Sequence, residues 1–527
     1  MFKSIRYCVI VVLLVSCNSQ TTADKAPIVT TPSFTKLNAT PFFENDERMQ
    51  KVEALKPLIA EIFTAHALEK KIPGIAYGIV VDDSLVIASS TGVIDIDSES
   101  PATLTSSFRI ASMTKSFTAI AILKLRDEGK LSLEDPAERY LPEMTKLTYP
   151  TKDSPLISIR NLLTMTAGFP EDNPWGDRQL DETDQMLMAL VTEGISFSNV
   201  PSTHFEYSNT GFALLGNVIS RISGMPYQDY IRENILKPLG MHHTYWEYDN
   251  VPSEKLVLGY RWEDAEWKSE PMLHDGSYGA MGGLITSIED FSKYVSFQLS
   301  AWPARDDEDN GPLKRSSLRE MQTPLFSRLN RDAKDFNGDQ CASISGYGYG
   351  LGITKNCKGI ISVSHGGALP GFGSNYVFYP DYGVGIMAFG NLTYTGPLPS
   401  DKIQKLLFEN AALNPRKLPV SDILIQRQKQ VLDLIQTWDA DVEKEIVAEN
   451  LYLDESREKR IAHVEEIFKQ AGTIKEVDDI EPWNQLRGIF NIHAENGVIK
   501  VYFTLNPEKN PKVQNLYLRF EPHPTQP

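Results

Sequence analysis

The sequence predicts a mixed α/β fold, in which an antiparallel sheet flanked by helices contains an all-helical insert and is followed by a C-terminal α+β domain. Two observations support this prediction. Alternating, strand-like segments stand on both sides of a long helical stretch from Thr105 to Leu299, so distant segments are expected to close one sheet around a helical insert. After Pro415 helices again give way to alternating strands, which indicates a second unit.

The first unit is predicted to span residues 46–414. Helical spacing over residues 46–68 precedes a strand hairpin at 74–90, with two aspartates at its turn. Strands return after Tyr347 in the segments GLGIT, IISVS, NYVFYP and GVGIMAFG, and a PDYG turn joins the last two. The hairpin and the later strands come from the two ends of this unit and are predicted to pair in one sheet.

The second unit is predicted to span residues 415–527. A two-residue Asn496-Gly497 turn is expected to join two of its strands. The unit contains no recognisable catalytic cluster, and its role is left open. Its predicted helices and strands are 421–438, 457–471, 486–493, 498–505 and 513–520.

The composition favours a globular, acidic protein. A chain of 527 residues is long enough for two or three domains, and its 41% hydrophobic and 23% charged residues are typical of a folded protein. The formal net charge is −17. An acidic surface of this size argues against nucleic acid as a partner.

The N-terminus has the pattern of an export signal. Residues 1–17 combine a basic start with an apolar run too short to span a bilayer. The sequence Leu-Val-Ser-Cys that ends at Cys17 resembles a bacterial lipobox, which predicts lipidation of Cys17 and anchoring in the cell envelope of a Gram-negative-type bacterium, with outer-membrane anchoring favoured. The alternative is a plain secretory signal in which Cys17 is incidental. Residues 18–45 are then expected to form a flexible tether.

Two cysteines remain after the signal, Cys341 and Cys357. In an exported protein such a pair predicts a disulfide, with two free thiols as the alternative. Two acidic stretches, 305–311 and 331–339, lack the full pattern of calcium ligands and are interpreted as solvated loops. Neither a metal nor another cofactor is predicted.

The stretch FRIASMTKSFTAIAILKL places Ser112 and Lys115 at the start of an apolar helical run. One interpretation is structural: Lys115 extends to water and Ser112 caps the helix. The other is catalytic, because residues three apart on a helix share a face, so a desolvated lysine can take the serine proton. The S-x-x-K pattern alone does not decide between them.

Two further motifs follow in the chain, Tyr-Ser-Asn at 207–209 and His-Gly-Gly at 365–367. With S-x-x-K, they resemble the three motifs of the serine β-lactamase and DD-peptidase superfamily, in particular its class C-like branch. The resemblance covers roughly residues 50–400 and leaves the C-terminal unit untouched. It implies an antiparallel sheet with an all-helical insert and an active site between the two.

The resemblance also implies roles for four residues. Ser112 corresponds to the acylated nucleophile and Lys115 to its activating amine. Tyr207 resembles the tyrosine that shares proton transfer with the lysine, as base for the attack or acid for the leaving group. Asn209 corresponds to the residue that fixes the lysine and the acyl amide. The structural alternatives are a half-buried aromatic residue for Tyr207 and a turn former for Asn209.

The third motif implies substrate contacts. The glycines Gly366 and Gly367 let a substrate backbone approach the strand, and the resemblance implies an oxyanion hole of two backbone N–H groups, those of Ser112 and Ala368. Typical β-lactamases of this branch have Lys-Thr-Gly here, whereas this chain has His365 and Gly366. The missing lysine and hydroxyl put recognition of a substrate carboxylate in doubt.

The predicted function is therefore that of an exported serine hydrolase that cleaves an ester or a small peptide or amide bond of D-amino-acid type through an acyl-enzyme. The expected partners are a small-molecule or peptide substrate and a membrane lipid. Alternatives are a D-Ala-D-Ala carboxypeptidase, a class C-like β-lactamase, and a catalytically silent binding protein of the cell envelope. The oligomeric state is left open.

Overall fold

The structure is a computed structural model that describes residues 40–453 and 455–523. All described residues belong to one compact unit. The predicted signal peptide, Cys17 and most of the predicted tether lie outside the described residues. Among the described helices, none is both long and apolar enough to cross a membrane.

The strands before residue 415 are β1 (Gly74–Val81), β2 (Ser84–Asp95), β3 (Ser100–Pro101), β4 (Phe108–Arg109), β5 (Tyr260–Glu263), β6 (Glu266–Ser269), β7 (Ile285–Thr286), β8 (Phe326–Asn330), β9 (Ser343–Tyr347), β10 (Gly352–Asn356), β11 (Ile361–Leu369), β12 (Phe372–Tyr379) and β13 (Val384–Gly390). The helices of this region are α1 (Arg48–Glu53), α2 (Lys56–Lys70), α3 (Lys115–Asp127), α4 (Ile159–Leu163), α5 (Asn173–Gly176), α6 (Asp184–Glu193), α7 (Asn209–Ser223), α8 (Tyr227–Ile231), α9 (Gly279–Gly282), α10 (Ile288–Leu299), α11 (Arg315–Met321) and α12 (Ser400–Lys405).

The central sheet has nine antiparallel strands in the order β3-β2-β1-β13-β12-β11-β10-β9-β8. Strand β1, from the start of the region, pairs with β13, from its end, in a register that runs from Ile75 opposite Gly390 to Val81 opposite Val384. Distant segments therefore close one sheet around the helices between them. The predicted fold class is confirmed.

Strand β1 explains why the sheet lies between two helical layers. All of its residues are buried, as its continuous apolar sequence GIAYGIVV predicts for a strand covered on both faces. Tyr77 faces one core, where its ring stacks on Phe63 of α2 at 3.8 Å between centroids. Ala76 and Val80 face a second and larger core, which contains most of α3.

The helical insert supplies this larger core. Helix α3 buries ten of its residues, including Lys115 at its first position. Helix α7 is buried from Asn209 through Ile219, and its N-terminus points at the start of α3, since the Asn209 side chain contacts Lys115. The insert therefore brings two of the predicted motifs together.

The C-terminal region has its own core of residues from Leu424 to Leu516. Among the described residues, no hydrogen bond or ion pair joins residues beyond 418 to residues 40–413. Its helices and strands are α13 (Asp422–Thr437), α14 (Ala440–Ile446), α15 (Arg457–Ala471), β14 (Ile474–Val477), β15 (Glu481–Asn484), β16 (Arg487–Ala494), β17 (Gly497–Leu505) and β18 (Val513–Pro522).

The predicted turn in this region is shifted by one residue. His493 pairs with Val498, so the two-residue loop consists of Glu495 and Asn496 rather than of Asn496 and Gly497. Gly497 instead lies in β17 against β18, where a Cβ atom would stand 2.2 Å from the Glu521 carbonyl oxygen. The glycine serves this close strand approach and not the turn.

The predicted disulfide is confirmed. Cys341 and Cys357 are bonded and join the open ends of the β9–β10 hairpin. The two acidic stretches are loops whose carboxylates bind basic side chains: Asp307 lies 2.6 Å from Arg315, and Asp335 lies 2.6 Å from Lys358. In the described parts of the chain, no group of three or more His, Cys, Asp or Glu residues is placed to hold a metal ion.

Candidate active site

Lys115 is fully buried and points at Ser112. A 3-10 turn at Ala111–Thr114 carries the serine, and α3 begins at the lysine. The Lys115 Nζ lies 3.0 Å from the Ser112 Oγ, 2.6 Å from the Asn209 Oδ1 and 2.9 Å from the Met281 carbonyl oxygen. The interpretation that the lysine extends to water is therefore wrong, and the Ser112 side chain makes no helix-capping hydrogen bond.

The backbone at the serine is fixed from two sides. Ala111 adopts a left-handed conformation with φ of 49°, which is uncommon for a residue other than glycine. Strand β11 lies against this turn so closely that a Cβ atom on Gly367 would stand 2.1 Å from the Ile110 carbonyl oxygen. The Ser374 hydroxyl of β12 donates to the same carbonyl at 2.8 Å. The sheet thus holds the turn that presents Ser112.

Burial changes the acid–base character of Lys115. Desolvation disfavours the ammonium and lowers the pKa of Lys115 to about 7, although the charges of Asp177 and Asp172 act in the opposite direction. The Lys115 contacts named above are all to neutral groups. A large fraction of neutral amine is therefore present near neutral pH, and only the neutral amine can accept a proton.

Tyr207 stands directly before α7, where Ser208 is the N-cap and accepts from the Gly211 N–H at 3.2 Å. The Tyr207 ring lies 5.0 Å from the Lys115 Nζ, and Tyr207 lines the same cavity as Ser112, whose hydroxyl is close enough to act on the tyrosine pKa. Burial raises the pKa of Tyr207 above its usual range. The tyrosine is therefore a neutral phenol that can pass a proton.

His365 is held as a neutral imidazole. Its Nδ1 lies 2.5 Å from the Gly366 carbonyl oxygen, which can only accept, so Nδ1 carries the proton and Nε2 accepts from the Tyr347 hydroxyl at 2.9 Å. Burial and the nearby Lys115 charge lower the pKa of His365 to about 4. The third motif therefore presents no cation where the typical motif presents a lysine.

The predicted residues converge on one cavity of about 500 Å³ between β11 and the helical insert. Asn209 and Lys115 lie behind its wall, and the disulfide lies elsewhere, on the β9–β10 hairpin. Ser112 and Ala368 line the same space, as two backbone oxyanion donors require. The lining residues are Ser112, Asn173, Pro174, Asp177, Tyr207, His365, Gly366, Gly367, Ala368, Asn375, Tyr394 and Gly396.

Sequence reasoning missed several residues of this cavity, above all Asp177 and Tyr394. Asp177 lies in the loop sequence AGFPEDNPWGDRQLD, and Tyr394 lies more than 200 residues later, in the loop after β13. No spacing rule connects them. An acid in a Gly- and Pro-rich loop before a predicted motif is the only sequence signal, and it is a weak one.

The beta-lactamase family model matches residues 51–409 of the chain. Protein flp of Staphylococcus aureus strain MW2 is 31% identical over 332 residues, which are 62% of this chain and 61% of the relative. Beta-lactamase-like protein 2 of Dictyostelium discoideum is 32% identical over 299 residues, 54% of this chain and 51% of the relative. The chain thus spans about three fifths or less of the length of these curated relatives.

Two solved structures share the fold. The octameric penicillin-binding protein homologue from Pyrococcus abyssi has a TM-score of 0.55 and 22% identity, covering 89% of this chain and 95% of its own. The penicillin-binding protein from Bacillus halodurans has a TM-score of 0.51 and 24% identity, covering 65% of this chain and 98% of its own. The superfamily of these proteins consists generally of serine hydrolases. The family match extends over more than half of the chain, which therefore belongs to the beta-lactamase family, within the serine β-lactamase and transpeptidase superfamily.

Proposed function

We propose that the protein is a serine hydrolase that forms an acyl-enzyme on Ser112 and cleaves an ester or a small amide or peptide bond of D-amino-acid type. The contact of 3.0 Å between the Lys115 Nζ and the Ser112 Oγ carries this proposal. It pairs a nucleophile with a base whose pKa of about 7 suits proton transfer near neutral pH.

The proposed reaction has two halves. Neutral Lys115 takes the Ser112 proton while Oγ attacks the substrate carbonyl, and the negative oxygen is stabilised by the N–H groups of Ser112 and Ala368. Tyr207 donates its proton to the leaving group and recovers one from Lys115. The acyl group stays on Ser112 until water, activated by the same groups, releases it as a carboxylic acid.

The neutral state of His365 favours this substrate class over an antibiotic lactam. A penicillin or cephalosporin presents a carboxylate, which the lysine of the typical third motif holds. Here a neutral imidazole occupies that position, and Gly366 has no hydroxyl. The binding of neutral esters and amides is not weakened by this replacement, whereas an anionic lactam loses a charge-assisted hydrogen bond.

The test is labelling with a fluorophosphonate probe together with turnover of p-nitrophenyl acetate, nitrocefin and a D-Ala-D-Ala peptide. Ser112→Ala should abolish labelling and lower turnover by about three orders of magnitude or more. Ser132→Ala, at an exposed serine beyond the same helix, is the control and should retain both. Undiminished labelling of Ser112→Ala would contradict the mechanism, and an unlabelled wild type would support the silent binding protein.

Export and lipid anchoring belong to the same proposal and are supported by the sequence alone. The wild-type protein should incorporate an alkyne fatty acid at Cys17 and partition with membranes, because each buried CH₂ group contributes about 0.8 kcal/mol. Cys17→Ser should take up no label. Equal labelling of both forms would contradict lipidation at Cys17.

A further inference from the structure

Asp177 is a buried carboxylate in the wall of the active-site cavity. It follows α5 directly, and its backbone N–H donates to the Asn173 carbonyl oxygen at 3.1 Å. Only 3% of the residue is exposed, yet it lines the same cavity as Ser112. A carboxylate is costly to place so deep unless donors compensate it.

The donors around Asp177 are few, as a comparison with Asp172 shows. The Asp172 carboxylate accepts from the Asn209 N–H at 2.6 Å and, at 2.9 and 2.7 Å, from the N–H and hydroxyl of Thr210. No side chain of the described residues donates a hydrogen bond to the Asp177 carboxylate, and the Tyr394 hydroxyl is close enough to act on its pKa. Asp172 therefore serves the start of α7, while most acceptor sites of Asp177 are left for a ligand.

The charge of the cavity wall defines that ligand. Among the described residues that line the cavity, Asp177 is the one carboxylate, and none is lysine or arginine. His365 is neutral, and Lys115 lies behind the wall with its donors occupied. The Lys115 charge, when the amine is protonated, offsets part of the negative potential at Asp177, whereas Asp172 and Glu171 add to it. A cation matches this wall, whereas a carboxylate is repelled.

Tyr394, which lines the same cavity as Asp177, is held in place by the protein. Tyr394 adopts a left-handed backbone with φ of 52°. Its loop lies against β12, where a Cβ atom on Gly373 would stand 1.8 Å from the Thr395 carbonyl oxygen, and the His66 Nε2 lies 3.0 Å from the Gly396 carbonyl oxygen. The phenol is thus held in the same cavity wall as the carboxylate before a ligand binds, which reduces the entropy cost of binding.

We propose that Asp177 binds a protonated amino group on the acyl part of the substrate, so that the enzyme prefers aminoacyl esters or amides with a free amine. We assign the amine to the acyl part of the substrate because Gly176, the residue before Asp177, packs against Asn209. Asn209 corresponds to the residue that contacts the acyl amide. This inference rests on the proposed function, because it names the substrate class of the same site.

The test compares two p-nitrophenyl esters of equal shape, those of glycine and of propionic acid, in which a methyl group replaces the ammonium. Each rate is divided by spontaneous hydrolysis at about pH 7. The wild type should show at least a tenfold higher normalised kcat/KM for the glycine ester, mainly through KM. This comparison needs no variant.

Variants then assign the preference to one residue. Asp177→Asn should lower the ratio of the two kcat/KM values about tenfold or more, and Asp177→Glu should restore part of it. Asp153→Asn, which makes the same change at an exposed position, should leave the ratio as in the wild type. Melting curves and fluorophosphonate labelling report whether each variant is folded.

The outcomes separate the two proposals. Equal normalised rates on both esters, lost together in Ser112→Ala, would overturn the amine site and leave the hydrolase standing. No turnover of either ester and no labelling of Ser112 would overturn the proposed function itself. If Asp177→Asn slowed both esters equally and moved the pH midpoint of propionyl ester cleavage, Asp177 would act on Lys115 and the amine site would be wrong.

Discussion

Lys115 and Arg427 are both buried basic residues, one behind the cavity wall and one in the C-terminal domain, and their surroundings differ. Arg427 donates its Nε–H to the Pro511 carbonyl oxygen at 3.0 Å and contacts Gln430, so it ties α13 to the segment before β18. Lys115 also joins elements, through Asn209 of α7 and the Met281 carbonyl oxygen of α9, but it contacts the proposed nucleophile Ser112 as well. A buried basic side chain can thus hold a fold together or supply a reactive group, and its partners show which.

The buried polar side chains of the C-terminal domain also differ from those of the region before residue 415. The buried polar side chains described in the C-terminal domain are Ser421 and Arg427, and both donate to backbone carbonyls. In the first region, buried Ser112, Lys115 and Asp177 gather at one cavity, where the Lys115 Nζ lies 3.0 Å from the Ser112 Oγ. Buried polar groups that cluster beside a cavity mark the candidate functional region. The predictions below test this distinction.

Replacing Lys115 should produce the largest separation between activity and stability. Lys115→Met removes the base but keeps an apolar chain of similar length, so kcat/KM should fall about a hundred- to ten-thousandfold. The free energy of unfolding should stay within about 1 kcal/mol or rise, because the desolvation cost of the ammonium disappears. Kinetics on p-nitrophenyl acetate and urea unfolding measure the two effects.

Lys124→Met is the matched control, since it changes a partly exposed lysine on the same helix. It should leave kcat/KM within about threefold of the wild type. A strong loss of stability in Lys115→Met with activity retained would show that the buried lysine is structural after all, like Arg427.

The third motif should give the next largest effect. His365→Lys with Gly366→Thr restores the typical cation and hydroxyl, so the ratio of kcat/KM on nitrocefin to that on p-nitrophenyl acetate should rise about ten- to a hundredfold. The gain is limited, because a Cβ atom on residue 366 would stand 3.0 Å from the Asn375 Nδ2, which must shift. A wild type that already hydrolyses nitrocefin faster than the ester would contradict this view of the motif.

The pH profile should report Lys115 rather than His365. Protonated Lys115 cannot accept the Ser112 proton, so kcat/KM should rise with pH, about tenfold per unit, to a midpoint near its pKa of about 7. His365, with a pKa of about 4, stays neutral across this range. His365→Gln should therefore keep the midpoint, and a midpoint that moved with this substitution would assign the titration to the histidine.

The fold was predictable where local pattern and burial agree. The apolar run of β1 and the helical spacing of α13 and α15 indicated these elements nearly to their ends. The edge strand β8, Phe326–Asn330, was missed because four of its five residues are exposed and it has no inward-facing apolar set. The turn at Glu495 was misplaced because the contact of Gly497 with β18 is tertiary.

The site was predictable only in its motifs. The three-residue spacing brings Ser112 and Lys115 together through helix geometry, and the resemblance supplied Tyr207. The presence of Asp177 and Tyr394 in one cavity wall depends on how the helical insert closes over the sheet, which no local pattern encodes. The complete burial of Lys115 also depends on how the helical insert closes over the sheet.

The smallest effect on catalysis should come from Arg427→Met, which tests the structural side of the comparison. The substitution leaves the Pro511 carbonyl oxygen without its donor, so the C-terminal domain should lose about 1–3 kcal/mol of stability. Because no hydrogen bond or ion pair of the described residues joins this domain beyond residue 418 to residues 40–413, kcat/KM should stay within about twofold. Hydrogen exchange should therefore speed up in α13 and β18 and remain unchanged in α3. Faster exchange around Ser112, or a fivefold fall in kcat/KM, would show that the domain supports the cavity through packing alone.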